Sequence, residues 1–418
     1  MAMVMARPTR PRSAVARPAG EARSRFPIAR QATVAIATVL IALAAMSNAL
    51  GNTVGRAYPI LASRQLGADP NIRLKAELEA NRNGDLRGLT GIARASLARQ
   101  ALNPLPLAVI GVANEQNGQP ADRYMALSDQ MSRRTSLAQF WLLEKAVASG
   151  DVPGVLNRYD ILLSLSSNHW AVLLPILDAA VDDPAITREF AKHLRTRRTW
   201  TENFFTYMLN RSAKPERLGR LVLLSGGVDH ARALGLNSGR LFAELTDAGR
   251  VSLLRALYLT DPAADRALLT NPLLIGKAFN PALAPITWEL PASSSTAVFP
   301  ERRGNRYALH LMTDPDSSGR ALRKLLFLTP GRYQLGFSIE TIRIAPEASA
   351  TWSTKCMGSP ANALTHPVNL SRSGRDRLTF PVPAGCRAVV LELTVGGGND
   401  QSGTEFLVDG IGLRRIGA

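Results

Sequence analysis

The stretch Leu328–Phe337, LTPGRYQLGF, decides how the last third of this 418-residue chain folds. Pro330 fixes φ at a turn position and Gly331 accepts positive φ, so TPGR should reverse the chain. Beyond the turn, Tyr333, Leu335 and Phe337 alternate with Arg332, Gln334 and Gly336, the period-two pattern of a half-buried strand. Outward from it, the chain after Ile286 breaks into short apolar runs divided by turn residues. These are Ile286–Leu290, Arg306–Met312, Leu325–Leu328, Gly331–Ile339, Ala350–Lys355, Leu378–Val382, Ala388–Val395 and Glu405–Arg414. Runs of this kind predict an antiparallel β-sandwich over residues 284–418.

Upstream the period changes. From Ile72 to Leu274 apolar residues recur at three- and four-residue spacing, as in Phe140–Leu143 with Ala146 and Val147, which predicts a helical domain over residues 56–280. The proline-punctuated segment Asn271–Pro291 marks the boundary. Turns NGDL, NGQP and SGDV place Gly84, Gly118 and Gly150 at spacings of 34 and 32 residues, the layout of stacked helix–turn–helix units.

The formal net charge of +17 suggests a polyanionic partner, but its distribution argues against nucleic acid. Seven arginines against one acid in residues 1–30 supply six of the seventeen net charges, and this basic tail reads as unstructured and cytoplasmic. Residues 31–50, QATVAIATVLIALAAMSNAL, carry no charge and are long enough as a helix to span about 30 Å of bilayer. Beside the basic tail they read as a single transmembrane helix that leaves the body outside the cytoplasm. A cleaved signal sequence and an organellar transit peptide are the alternatives. In an exported body, Cys356 and Cys386 read as a disulfide, with two separate buried thiols as the alternative.

The repeat spacing, with Gly111 and Tyr159 at positions where that family has small and aromatic residues, resembles the tetratricopeptide repeat family and implies an α-solenoid-like domain. The segments RYALHL, LTPGRYQLGF, ATWSTKC, FPVPAGC and FLVDGIGLRRI are similar to jelly-roll carbohydrate-binding modules, whose last strand carries a motif like Asp409-Gly410-Ile411-Gly412-Leu413. Anchor, repeats and late sandwich together look like accessory proteins of bacterial surface-polysaccharide systems. That resemblance implies a multidomain α plus β protein of the inner membrane, with its N-terminus cytoplasmic and its body periplasmic. Its implied partners are an envelope protein, the bilayer and a glycan.

Sugar recognition uses aromatic faces flanked by polar groups, which makes Trp352, Trp288, Tyr333, Asn362 and Asn369 the candidates. Trp288 and Tyr333 also suit a core, and the asparagines suit turns. Lys192, Arg195, Arg197 and Arg198 form a basic patch or a solvated helix end. No nucleophile elbow, zinc signature or phosphate loop occurs, and the five histidines are scattered, so no catalytic residue, metal or cofactor is expected; a polysaccharide hydrolase or lyase is the alternative, since its paired carboxylates are set by separation in space rather than in sequence.

Overall fold

The computed structural model describes residues 58–60, 69–81, 84–211, 213–290, 295–304, 306–357, 363–401 and 403–417. The basic tail, the span expected at 31–50 and Asn362 lie outside the described residues. Among the described residues no helix is long and apolar enough to cross a membrane.

The chain divides into two compact units, Met1–Met131 and Ser132–Ala418. In the first, helices α1 (Pro70–Ala80), α2 (Thr90–Arg99), α3 (Pro104–Gln116) and α4 (Asp122–Met131) follow one another through short turns. Asp69 and Asn103 cap α1 and α3 through their side-chain oxygens, each with a proline at the first helical position. Gly111 lets α3 approach α4, since a Cβ there would lie 2.9 Å from Met125 Cε. Gly84, Gly118 and, in the second unit, Gly150 all sit at φ near +70°, each in a turn that follows a helix.

The second unit continues with α5 (Ser136–Ala148), α6 (Val152–Leu165), α7 (Trp170–Ala180), α8 (Pro184–His193) and α9 (Thr201–Arg211). Then come α10 (Pro215–Ser225), α11 (Gly227–Ala233), α12 (Ser238–Asp247) and α13 (Val251–Tyr258). Nine strands follow: β1 (Thr296–Arg303), β2 (Arg306–Thr313), β3 (Ser318–Leu326), β4 (Gly331–Arg343), β5 (Ser349–Met357), β6 (Leu364–Pro367), β7 (Gly374–Val382), β8 (Ala388–Gly396) and β9 (Thr404–Gly417). They form two antiparallel sheets, ordered β1-β2-β9-β4-β7 and β3-β8-β5-β6. The inner faces meet in one core, where Leu335 and Phe337 of β4 pack with Leu391 and Leu393 of β8 and the Phe337 and Trp352 ring centroids are 5.7 Å apart. This is the α plus β architecture and antiparallel sandwich that the patterning predicts.

The opening stretch does something more specific than a hairpin. β3 pairs with β8 and β4 with β7 and β9, so the Pro330–Gly331 turn carries the chain from one sheet to the other. Gly331 is required there: at φ 151° a Cβ would lie 2.6 Å from Arg415 Nε.

The strand expected at Ile286–Leu290 does not form. Only an isolated bridge, Glu289 to Arg323, joins it to β3, and the segment instead lies along that edge strand with Leu325 N–H donating to Pro285 O at 2.7 Å. Edge coverage of this kind hides unpaired backbone groups. β1 and β6 escaped the pattern because each is short of apolar residues and carries a proline, which edge strands tolerate.

The outer face of the four-stranded sheet is covered on its β3 side and at the start of β8, while outward residues farther along, Thr394 and Lys355 among them, are exposed. Ala388, Val390 and Leu325 belong to the same hydrophobic core as Leu241, Phe242 and Leu254 of the helices. Arg323, whose side chain is 6% exposed, donates to Asp247 at the end of α12 at 2.8 Å. Lys324 is wholly buried beside it, its Nζ donating to Ile286 O at 2.5 Å and lying 5.6 Å from the centre of the Trp288 ring.

Candidate functional site

Helices cover the β3 side of the four-stranded sheet, and the broad face open across its width is the outer face of β1-β2-β9-β4-β7. Strand alternation assigns its side chains. On β4, Tyr333, Leu335, Phe337 and Ile339 point inward, leaving Gln334, Gly336, Ser338 and Glu340 outward. On β7, Leu378 and Phe380 point inward, leaving Arg375, Arg377 and Thr379 outward.

Register stacks these into rungs across the strands. Gln334 faces Thr379 and Arg414; Gly336 faces Arg377 and Gly412; Ser338 faces Arg375 and Asp409. Successive rungs lie about 7 Å apart, two residues along each strand. Between the last two, β9 carries a bulge with Gly410 at φ 59°, so that Asp409 and Gly412 both reach the outer face while Ile411 turns into the core.

The middle of the face is therefore floored by glycine. A Cβ built on Gly336 or Gly412 would meet nothing within 4 Å. Over Gly336 and Gly410 runs a groove of about 470 Å³, walled by Arg303 and Arg306 at the β1–β2 hairpin and by Arg375 and Arg377 on β7. Gly336, Gly410 and Arg377 also line an adjoining hollow of about 360 Å³, which holds Gly412 and reaches Gln334 and Arg414.

The charges in this groove differ in how they are held. Arg303 is tied to Glu340 at 2.5 Å and to Glu301 at 3.4 Å, and Arg414 donates to Gln334 Oε1 at 2.9 Å. Asp376 Oδ2 accepts from His366 Nε2 at 3.1 Å across the sandwich edge. Among the described residues no carboxylate lies within 4 Å of the Arg306, Arg375 or Arg377 guanidinium. At the far margin of the face Phe299 is 42% exposed, its ring 4.8 Å from that of His310, which in turn meets Glu405 at 2.8 Å.

The residues picked from the sequence lie elsewhere. Trp352 is 0%, Trp288 1% and Tyr333 7% exposed, so their faces pack in the core and are closed to a ligand. Tyr333 stacks on Phe380 with centroids 6.1 Å apart. Asn369 is exposed, and its Oδ1 accepts from Ser371 N at 2.9 Å, which makes it a turn residue. Cys356 and Cys386 form the disulfide, closing a 30-residue loop.

The basic patch is divided. Arg198 turns in to Asp160 at 3.3 Å, Lys192 pairs with Glu189 at 2.6 Å on its own helix, and Arg195 and Arg197 are exposed. Among the described residues no cluster of His, Cys, Asp or Glu could hold a metal ion.

Gly336, Gly410, Gly412, Arg306, Arg375 and Arg377 were not picked out. Their signal is present: glycine or arginine at every second position of neighbouring strands, in LGFS, DGIGL and RDR.

No family model matches the chain, and no curated protein does. Solved structures do, at low similarity. The enzymatically active domain of bacteriophage CBA120 tailspike protein 4 is 13% identical over 31% of this chain and 19% of its own, with a TM-score of 0.25. TmCBM61, solved with β-1,4-galactotriose, is 14% identical over 31% of this chain and 88% of its own, at a TM-score of 0.23. The CBM22-1 xylan-binding domain of Paenibacillus barcinonensis Xyn10C is 10% identical over 31% of this chain and 86% of its own, at a TM-score of 0.24.

Proposed function

We propose that this chain holds a glycan against the open face of its five-stranded sheet, as a non-catalytic protein of the bacterial cell envelope. In this reading residues 31–50 anchor it in the inner membrane, the body stands in the periplasm, and the helices dock a protein of the machinery that assembles or exports surface polysaccharide. The charge-free run beside a basic tail supports the anchor. The repeated left-handed glycines after helices support a stacked docking surface.

The glycan half rests on one observation. The groove crosses several strands, its floor is lowered at Gly336, and its walls are polar, so an extended chain of sugar rings can lie across the sheet and hydrogen-bond to both sides.

Gly336→Val fills that floor without straining the backbone, because Gly336 has ordinary strand geometry and an open space above it. Full-length protein is expected to be retarded in gels containing its polysaccharide, and the variant to lose at least about 10-fold in affinity with an unchanged melting temperature. Equal retardation of both proteins would place the ligand elsewhere. Retention by no glycan at all would leave an envelope interaction protein without sugar binding.

A further inference from the structure

We infer that the ligand of this groove is an acidic polysaccharide, a chain of uronate sugars whose carboxylates are read by Arg375, Arg377 and Arg306. The inference rests on the glycan reading above and adds the charge of the ligand. Three features carry it.

The first is unspent charge. Several arginines of the second unit are committed to carboxylates, Arg217 to Asp178 and Asp182, Arg232 to Asp229 and Asp261, Arg323 to Asp247, while others such as Arg195 and Arg197 stand singly on the surface. In the groove Arg306, Arg375 and Arg377 line the walls with no carboxylate of the described chain within 4 Å. A guanidinium presents parallel N–H donors that match a carboxylate in a bidentate pair, which an ammonium does not. Arg375 and Arg377 lie on the same face of β7, about 7 Å apart along it. They present a row of carboxylate sites rather than one.

The second is the lack of a stacking surface. The aromatic residues lining the groove are Phe337, which is 2% exposed, and Tyr307, half-buried against Phe279 at 5.6 Å. Binding of a neutral glycan leans on aromatic faces, and here charge has to supply that contribution.

The third separates a glycan from a nucleic acid. Asp409 and Ser338 face each other across β9 and β4 in the same rung as Arg375. An aspartate on the floor accepts hydrogen bonds from sugar hydroxyls and repels the closely spaced phosphates of a nucleic acid, and no exposed ring in the groove offers a base a platform. A uronate chain supplies both hydroxyl donors for Asp409 and carboxylates for the arginines.

The test titrates full-length protein calorimetrically with polygalacturonate, alginate and polyglucuronate, with the methyl ester of each, and with oligothymidylate. Esterification removes the charge and keeps the ring hydroxyls. At least one acid is expected to bind, its ester about 10-fold or more weaker, with affinity falling as salt rises.

The Arg375→Ala/Arg377→Ala double variant should lose about 10-fold for the acid and nothing for the ester, and the double Lys variant should recover part of the loss. Both positions are exposed, and an unchanged melting curve verifies the fold. Equal binding of acid and ester would overturn the charge inference and leave the glycan reading standing. Binding to none of the six, with a neutral glycan retained, would do the same; retention of no glycan at all would end both. Tighter binding of oligothymidylate than of any acid would overturn both in favour of a nucleic-acid ligand.

Discussion

Lys324 sits in the interior of the molecule with an ammonium group and, among the described residues, no carboxylate within 4 Å. Burial lowers its pKa from 10.5 to about 7. In the unfolded chain the amine keeps its proton up to the ordinary value, so between these two limits the unfolded state binds more protons. Stability therefore climbs with pH across that window, by about 1.4 kcal/mol per unit where the difference is a whole proton. Below pH 7 the full cost of burying the charge is present. Lys324→Met should stabilise the protein by a few kcal/mol at neutral pH and below, and the advantage should shrink to nothing near pH 10.5. Denaturant melts of both proteins at three pH values measure it, and a gap that does not change with pH would mean that the lysine is not titrating. Nothing in the neighbouring sequence marks Lys324 as buried, because its surroundings are assembled from Ile286 and Trp288, more than thirty positions away. Tyr333 was legible as core for the opposite reason: strand alternation is local and needs no knowledge of partners. Gly336 shows the same limit from the ligand's side. Its absent side chain matters only because β9 sets Gly412 beside it.

Among the elements, β4 was readable to within a few residues because turn chemistry and alternation agree at Pro330–Phe337. Its partners were not, since β7 and β9 come from positions 374–382 and 404–417 and pairing is a long-range choice. β8 carried a clue that went unread. Its start, AVVL, is apolar at every position, the mark of a strand buried on both faces, and there the structure places Val389 and Leu391 in the sandwich core and Ala388 and Val390 against helices. The disulfide ties the end of β5 to the loop that leads into β8, two elements already paired through Cys356 and Val389. Its contribution is the restriction of a 30-residue loop in the unfolded chain, about 3–4 kcal/mol. The Cys356→Ser/Cys386→Ser variant should unfold at correspondingly lower denaturant with the same ligand affinity, because the groove lies on the other sheet. A reduced variant that also loses binding would show that the groove depends on the opposite sheet.

For the molecule, helix and sheet were legible as successive regions, while their interdependence was not. Composition changes near residue 280, but Ile286, Leu325 and Val390 complete a core whose larger part is helical. A fragment cut at Ala284 would bare that surface. Residues 284–418 alone should be poorly soluble or melt far below residues 132–418, which keep the compact unit whole. Equal melting temperatures for the two fragments would show the helical cover to be dispensable. That cover also bears on valency. A sandwich has two broad faces, and here helices lie against the β3 side of one of them, which leaves the five-stranded sheet as the face open across its width. If the proposed glycan reading holds and the groove is the site, each copy of the chain decorates a polysaccharide without bridging two strands, and raising its concentration should coat the polymer rather than gel it.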